Sequence, residues 1–380
     1  MEQTRNQCVM IIAGEASGEH HGAKVVAALR KRNPDLVFCG IGGAAMKAQG
    51  VRISVDAETL AVVGIVEIFS KAKILLNGLF TAKNLIKRQR PDLLLLIDFP
   101  GFNLHIAATA KKLGIPVLYY ISPQIWAWRS GRVKKIKARV NHMAVIFPFE
   151  AKFYRRQNVP VTFVGHPLLD SSANMKIDAT GRPASETVIG LLPGSRQAEV
   201  ARLLPHMLGA ARRLTRQISS VRFVLSQAPS VDKTMVADIL AAHGSGISLT
   251  VETDGVQRVF SQSTLVVAAS GTVTLEAALA AVPMVIVYKV KPVDYWLGRA
   301  LIRVNHIGLA NLIAEKEIAP ELIQGAVTPE NIAETVRKML SDPADLAARR
   351  SALMKIRDDL GGAGASEQVA EIAVQLMNKR

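Results

Sequence analysis

Asp98 closes the run Leu93-Leu94-Leu95-Leu96-Ile97 and stands directly before Phe99-Pro100-Gly101-Phe102-Asn103. Five consecutive apolar residues predict a strand buried on both faces, so a carboxyl at its end meets low-dielectric surroundings that raise its pKa. Such a carboxylate suits general-base work on a hydroxyl. The plainer reading is a helix-capping aspartate, but Pro100 and Gly101 intervene and Asn103 is the better cap. A second place with chemistry is Gly14-Glu15-Ala16-Ser17-Gly18-Glu19, directly after the apolar run Cys8–Ala13. Ser17 and Gly18 at a helix start could receive a sugar or phosphate, whereas Glu15 would repel phosphate and suits a hydroxyl. A tight turn with a capping serine is the alternative. The spacing is not G-x-G-x-x-G, and no acid ends the next strand at Cys39-Gly40, so dinucleotide binding loses ground.

Two further segments suit phosphate. Pro193-Gly194-Ser195-Arg196 lies between an apolar strand and a long helical stretch, so glycine allows close backbone approach, the helix start presents N–H groups and Arg196 can reach phosphate oxygens. Ser270-Gly271-Thr272 repeats that arrangement, with Glu276 placed for ribose hydroxyls. Each could be an ordinary helix cap. Both at strand ends of one half of the chain read better as a nucleotide-diphosphate site.

These residues need apolar strands to hold them. CVMIIA, LVFCGIGG, LLLLID, PVLYYIS and MAVIFPF alternate with helical stretches, and TVIGLLPGS, RFVLSQ, TLVVAAS and PMVIVYK start a second series. Two such series in 380 residues predict an α/β protein of two Rossmann-like domains. The expected boundaries are 1–165, 166–341 and a helical tail 342–380 that packs back on the first domain. Cys8 and Cys39 make neither a disulfide framework nor a metal spacing, which suits a reduced cytosolic compartment. No signal peptide opens the chain and no apolar run is long enough to span a bilayer.

The formal charge is +16, with 49% apolar residues, which excludes disorder. Up to Gly165 there are 24 basic and 10 acidic residues and after it 23 and 21, so the first part carries +14 and the second +2. Arg129 to Arg139 holds six basic residues and no acid, behind Trp126 and Trp128. No helix-turn-helix, RNP or zinc pattern surrounds them, which disfavours nucleic acid; a solvated helix face is the bland alternative. Upstream, Ile65, Ile68, Phe69, Ile74, Leu75, Leu79 and Phe80, with Lys71 and Lys73, combine bulky apolar and basic residues as interfacial helices do. A core helix has the same periodicity, but the added charge favours an anionic membrane surface.

The motifs AGEASGE, GIGG with Met46, VVGIVEI, DFPGFN, YYISPQIWAWR, FPFE, VGHPLLD, LLPGSRQAEV, SGTVTLEAAL, YKV and GLANLIA stand in the order of one family. With them the whole chain resembles the bacterial lipid-A-disaccharide synthases, inverting glycosyltransferases of Gram-negative lipopolysaccharide biosynthesis. The resemblance implies a GT-B fold with the ligand cleft between two Rossmann-like domains. It also implies transfer of 2,3-diacylglucosamine from its UDP donor to the 6-hydroxyl of 2,3-diacylglucosamine 1-phosphate, giving the β-1,6 disaccharide 1-phosphate and UDP. By resemblance the essential acids fall on Glu15 and Asp98, the donor arginine on Arg196, further donor residues on Ser270, Gly271, Thr272 and Glu276, and a late asparagine on Asn311. Glu19 departs from the family, which usually has aspartate there.

The expectation is thus an enzyme without cofactor or metal, cytoplasmic and peripheral to the inner membrane, with no nucleic-acid partner. Which of Asp98 and Glu15 is the base stays open, as do acyl-chain preference and a homodimeric state. The alternatives are another GT-B UDP-sugar transferase, a UDP-sugar 2-epimerase, or a nonenzymatic basic protein binding RNA or membrane.

Overall fold

Continuous apolar runs become the interior strands of two parallel sheets in a computed structural model that describes residues 6–14, 16–60, 72–126, 130–172, 187–301 and 305–379. In chain order the first sheet contains β1 (Cys8–Ala13), β2 (Val37–Gly42), β3 (Arg52–Asp56), β4 (Leu93–Ile97), β5 (Val117–Tyr120), β6 (His142–Val145) and β7 (Val161–Phe163). The second contains β8 (Thr187–Leu192), β9 (Val221–Ser226), β10 (Leu249–Glu252), β11 (Leu265–Ala269), β12 (Met284–Tyr288) and β13 (Glu321–Ile323). Their orders are β3-β2-β1-β4-β5-β6-β7 and β10-β9-β8-β11-β12-β13. β1 and β4 are buried along their whole lengths, as helices on both faces of a parallel sheet require. Each sheet has its own apolar core. Cys8 and Cys39 lie side by side in the first, their sulfurs 3.9 Å apart and not joined as a disulfide.

The nine central strands are those the apolar runs predict. The four missing from that reading, β3, β7, β10 and β13, are the four sheet edges. They are three to five residues long, and none is a continuous buried run.

The chain divides into residues 1–172 with 360–380, and residues 173–359. Both divisions lie later than the sequence boundaries of 165/166 and 341/342. Helix Pro343–Asp359 belongs to the second unit, where Leu353 and Ile356 are buried and the helix packs against helices Thr272–Leu279 and Leu309–Ala314. Only the segment beyond it returns: helix Ala365–Asn378 packs on helix Ala16–Arg32, after Gly361 and Gly364 turn the backbone through positive φ. Asp170 fastens that return by accepting hydrogen bonds from the Gly364 and Ala365 amides at 2.7 and 3.3 Å.

Candidate active site

In the first sheet the strand order reverses between β1 and β4, where an open parallel sheet takes its ligands. The register pairs Ala13 with Ile97, so the two polar turns leave the sheet together. Gly14 has no room for a side chain, because the Phe99 ring occupies the place of its Cβ. Ser17 is exposed and Gly18 buried, both within the first turn of helix Ala16–Arg32; the expected capping role of Ser17 therefore gives way, since the helix already begins at Ala16. Glu15 lies outside the described residues. The Glu19 carboxylate lies against Gly43, and its buried Oε2 has no hydrogen-bond partner among the described residues.

Asp98 and Phe99 both adopt left-handed backbone, with φ 45° and 49°, a conformation that side chains disfavour and that concentrates at functional sites. The Asp98 carbonyl is tied down by the Tyr119 hydroxyl and by Asn103 Nδ2, each donating at 2.6 Å. Asn103 also donates to the Ile97 carbonyl at 3.2 Å. It is not the helix cap that the sequence suggests. It lies buried inside helix Pro100–Lys112, Phe99 holds the cap position, and the asparagine amide serves the strand end instead.

Sequence reasoning singled out FPFE only as a motif, and the structure gives its glutamate a place beside this turn. Glu150 is fully buried, accepts from Trp126 Nε1 at 3.1 Å and from the Phe147 amide at 3.2 Å, and lies within electrostatic reach of Asp98. Burial pushes its pKa up to about 8 against the pull of those hydrogen bonds, and Asp98 adds to the rise. A carboxyl-plus-aromatic pairing 24 residues apart leaves no periodic signal.

The two basic segments of this unit meet on one face. Helix Ala72–Gln89 packs on helix Pro100–Lys112, which packs on helix Val133–Arg139. Lys83, Arg139, Lys135 and Arg132 all act on His105, whose pKa is lowered first by desolvation and then by these cations. Ile74, Leu76 and Phe80 are 45%, 54% and 61% exposed on the first of those helices, and Lys73 is exposed with them. Leu79, expected at the lipid, packs inward against the core, as does Leu75. Helical periodicity carries both to the inner face. Ile65, Ile68, Phe69 and Lys71 lie outside the described residues.

The second sheet reverses its order between β8 and β11. There a cavity of about 390 Å³ is lined by Gly194, Ser195, Arg196, Ser270, Gly271, Thr272 and Glu276, so seven sequence-predicted residues from two separate turns share one wall. Gly194 has φ 116°, which side chains disfavour. Helices Gln197–Gln217 and Thr272–Leu279 begin at this cavity and offer amides and positive dipole ends. Arg196 is exposed and pairs with Glu199 at 2.7 Å. Burial raises the Glu276 pKa, and its carboxylate accepts from Gln257 at 3.4 Å. Gln227, which the sequence reading missed, lines the same cavity with a buried Nε2 that has no partner among the described residues.

Asn311 is a correction. It is fully buried and does not line the cavity: its amide donates to the Ala319 carbonyl and Glu321 Oε1, and its oxygen accepts from the Ile318 and Ala319 amides. Two donors and two acceptors are the whole capacity of an amide side chain, so none remains for a ligand. Its influence is indirect, because Glu321 also accepts from the Ile307 and Gly308 amides, and the Ile307 carbonyl accepts from the Ser270 hydroxyl at 3.1 Å.

Comparison with known proteins identifies the family and the fold. Residues 9–375 match the family model described as Lipid-A-disaccharide synthetase. A lipid-A-disaccharide synthase of Geobacter metallireducens is 46% identical over 99% of this chain and 98% of its own. That of Coxiella burnetii is 41% identical over 98% and 99%. Among solved structures, the fold is similar to MurG of Acinetobacter baumannii, at 15% identity and a TM-score of 0.59 over 97% of this chain and 99% of that one. It is also similar to a UDP-GlcNAc 2-epimerase of Neisseria meningitidis bound to UDP-GlcNAc, at 12% identity and a TM-score of 0.60 over 98% and 100%. The fold is therefore GT-B, two parallel-sheet α/β domains.

Proposed function

Because the chain belongs to the lipid-A-disaccharide synthases, and is with them a glycosyltransferase that forms the lipid A disaccharide, we propose that its donor is UDP-2,3-diacylglucosamine and its acceptor 2,3-diacylglucosamine 1-phosphate. The observation that carries this assignment of roles is the convergence of both phosphate turns on one cavity in the second unit, apart from the carboxyl-bearing turn of the first. Gly194, Ser195, Ser270, Gly271 and Thr272 present the diphosphate with amides and hydroxyls, Arg196 exchanges its pairing with Glu199 for phosphate oxygens, and Glu276 takes ribose hydroxyls. As the sugar–phosphate bond breaks, negative charge grows on the departing UDP, where fixed dipoles and a cation act most strongly.

Asp98 accepts the proton of the acceptor 6-hydroxyl as that oxygen attacks the anomeric carbon; attack opposite the leaving UDP inverts the configuration. Glu15 orients the hydroxyl or Asp98, and Ser17 and Gly18 border the acceptor sugar. No metal is needed in this scheme. The reading is supported by the strained strand end that holds Asp98 and by its half-buried side chain.

The basic helical face, with Ile74, Leu76 and Phe80, rests on the anionic inner-membrane surface from which the acylated acceptor comes. Among the described residues no helix is long and apolar enough to cross a membrane. A 2-epimerase or RNA-binding reading leaves this apolar and basic face, or the paired phosphate turns, without use. Incubating the protein with both detergent-dispersed substrates should yield disaccharide 1-phosphate and UDP, unaffected by EDTA. Absence of product would sink the substrate assignment, and salt-independent flotation with anionic liposomes would sink the membrane assignment.

A further inference from the structure

Glu150 occupies the first turn of helix Pro148–Arg156 with 2% exposure. Carboxyl groups are rarely buried this deeply without a cation. Among the described residues the groups facing it are of another kind: the Trp126 indole N–H at one oxygen, the Phe147 amide at the other, and the titratable side chains of Asp98 and Tyr154. The Phe147 contact is the glutamate half of a helix capping box, because the Phe147 side chain has no acceptor to return the bond. A cap needs only one oxygen, and it operates equally well at the surface. The second oxygen is spent on Trp126, whose ring also packs edge-on against Phe149 at 4.7 Å.

We propose that Glu150 is a positioning residue of the reaction centre: it pins Trp126 at the end of the sheet where β4, β5 and β6 run side by side and Asp98 follows β4, and acts there as a neutral acid. The inference rests on Asp98 being the base. Its physical ground is that a buried anion within electrostatic reach of Asp98 would oppose the Asp98 charge and repel an incoming phosphorylated acceptor, whereas a neutral carboxyl still accepts both N–H groups. The shift of Glu150 to about 8 keeps the proton on it through neutral pH. Above that value Glu150 becomes an anion within electrostatic reach of Asp98, and turnover should decline.

The test compares Glu150→Gln, Glu150→Ala and the wild type for kcat, donor KM and pH profile from 6 to 9. Trp126 emission is read in a background where Trp128 and Trp296 are phenylalanine. Glu150→Ala should lower kcat about 10-fold or more with donor KM unchanged and shift Trp126 emission to the red, as expected for a group that orients rather than binds. Glu150→Gln, uncharged and nearly isosteric, keeps one acceptor oxygen for Trp126 while its NH2 cannot accept from the Phe147 amide; it should recover part of that loss and lack the alkaline decline centred near pH 8 that the wild type shows.

Unchanged kcat and emission in Glu150→Ala would overturn the proposal, as would superimposable pH profiles for wild type and Glu150→Gln. If Glu150→Ala fails to fold, the pH profile of Glu150→Gln decides alone. Near-normal turnover of Asp98→Asn with the emission shift of Glu150→Ala intact would remove the base and leave the Trp126 anchor standing, so the two failures are distinguishable.

Discussion

The two strand-order reversals share a topology and differ in chemistry. At β1 and β4 the site is made of side chains under constraint: Asp98 on left-handed backbone, Glu150 nearby with its pKa raised by burial, Glu19 with an oxygen that has no partner among the described residues. At β8 and β11 it is made largely of backbone, two glycine-bearing turns and two helix starts around one cavity. Moving a proton needs a group whose pKa is set by its surroundings. Holding a diphosphate needs fixed N–H donors, which any helix start supplies. One sheet architecture serves both because its strand ends leave the turn residues free to differ.

Substitutions should separate the two sites. Asp98→Asn should lower turnover roughly 100-fold or more while UDP binding, followed by calorimetry, stays near wild type; a matching loss of UDP affinity would mean that the two sites are not chemically divided. Asn311→Ala should destabilise the second unit by about 3 kcal/mol, because four buried partners lose their hydrogen bonds at once. Thermal melts would detect this, and lost UDP binding at unchanged stability would restore Asn311 as a ligand. Arg196→Ala should cost roughly 30-fold in kcat/KM for the donor through weaker charge stabilisation. Equal kcat/KM for the variant and wild type would leave the helix starts as the whole phosphate site.

The smallest effect is on acid stability and should arise in the first unit. Burial pushes His21 and His166 down to about 4, with cations or the other histidine adding to the shift and Asp170 opposing it. Both are therefore neutral in the fold and take up protons more readily when unfolded. Their stabilisation is complete above pH 6.5 and lost as pH falls toward 4, about 1 kcal/mol per histidine between pH 6.5 and 5.5. Urea titrations across that range should lose stability in the wild type and less in a His21→Asn, His166→Asn double variant. Equal slopes would show that the histidines stay accessible to protons in the fold.

Most of the fold and of the cavity lining in the second unit was legible because their signals are local. A central parallel strand is a continuous apolar run, and a phosphate turn is glycine and serine before a helix. β3, β7, β10 and β13 escaped because an edge strand has one neighbour and one exposed side, so short, partly polar stretches suffice. Asn311 misled because a motif shows an amide but not whether its hydrogen bonds are already taken. Leu79 misled because an apolar residue on an amphipathic helix faces core or lipid according to what packs beside it.

Residue order by itself determined the two α/β units, the turns that bear Asp98, Arg196 and Ser270, and the concentration of charge in the first unit, since these follow from apolar run length, glycine placement and counting. The tertiary structure alone decided that Lys83 and Arg139 share a face with His105, that Asn103 and Tyr119 hold the Asp98 turn, and that Glu150 is buried against Trp126. Those facts turn on burial and on which hydrogen-bond partners arrive from distant segments. Both are properties of the packed chain that no short window of residues contains.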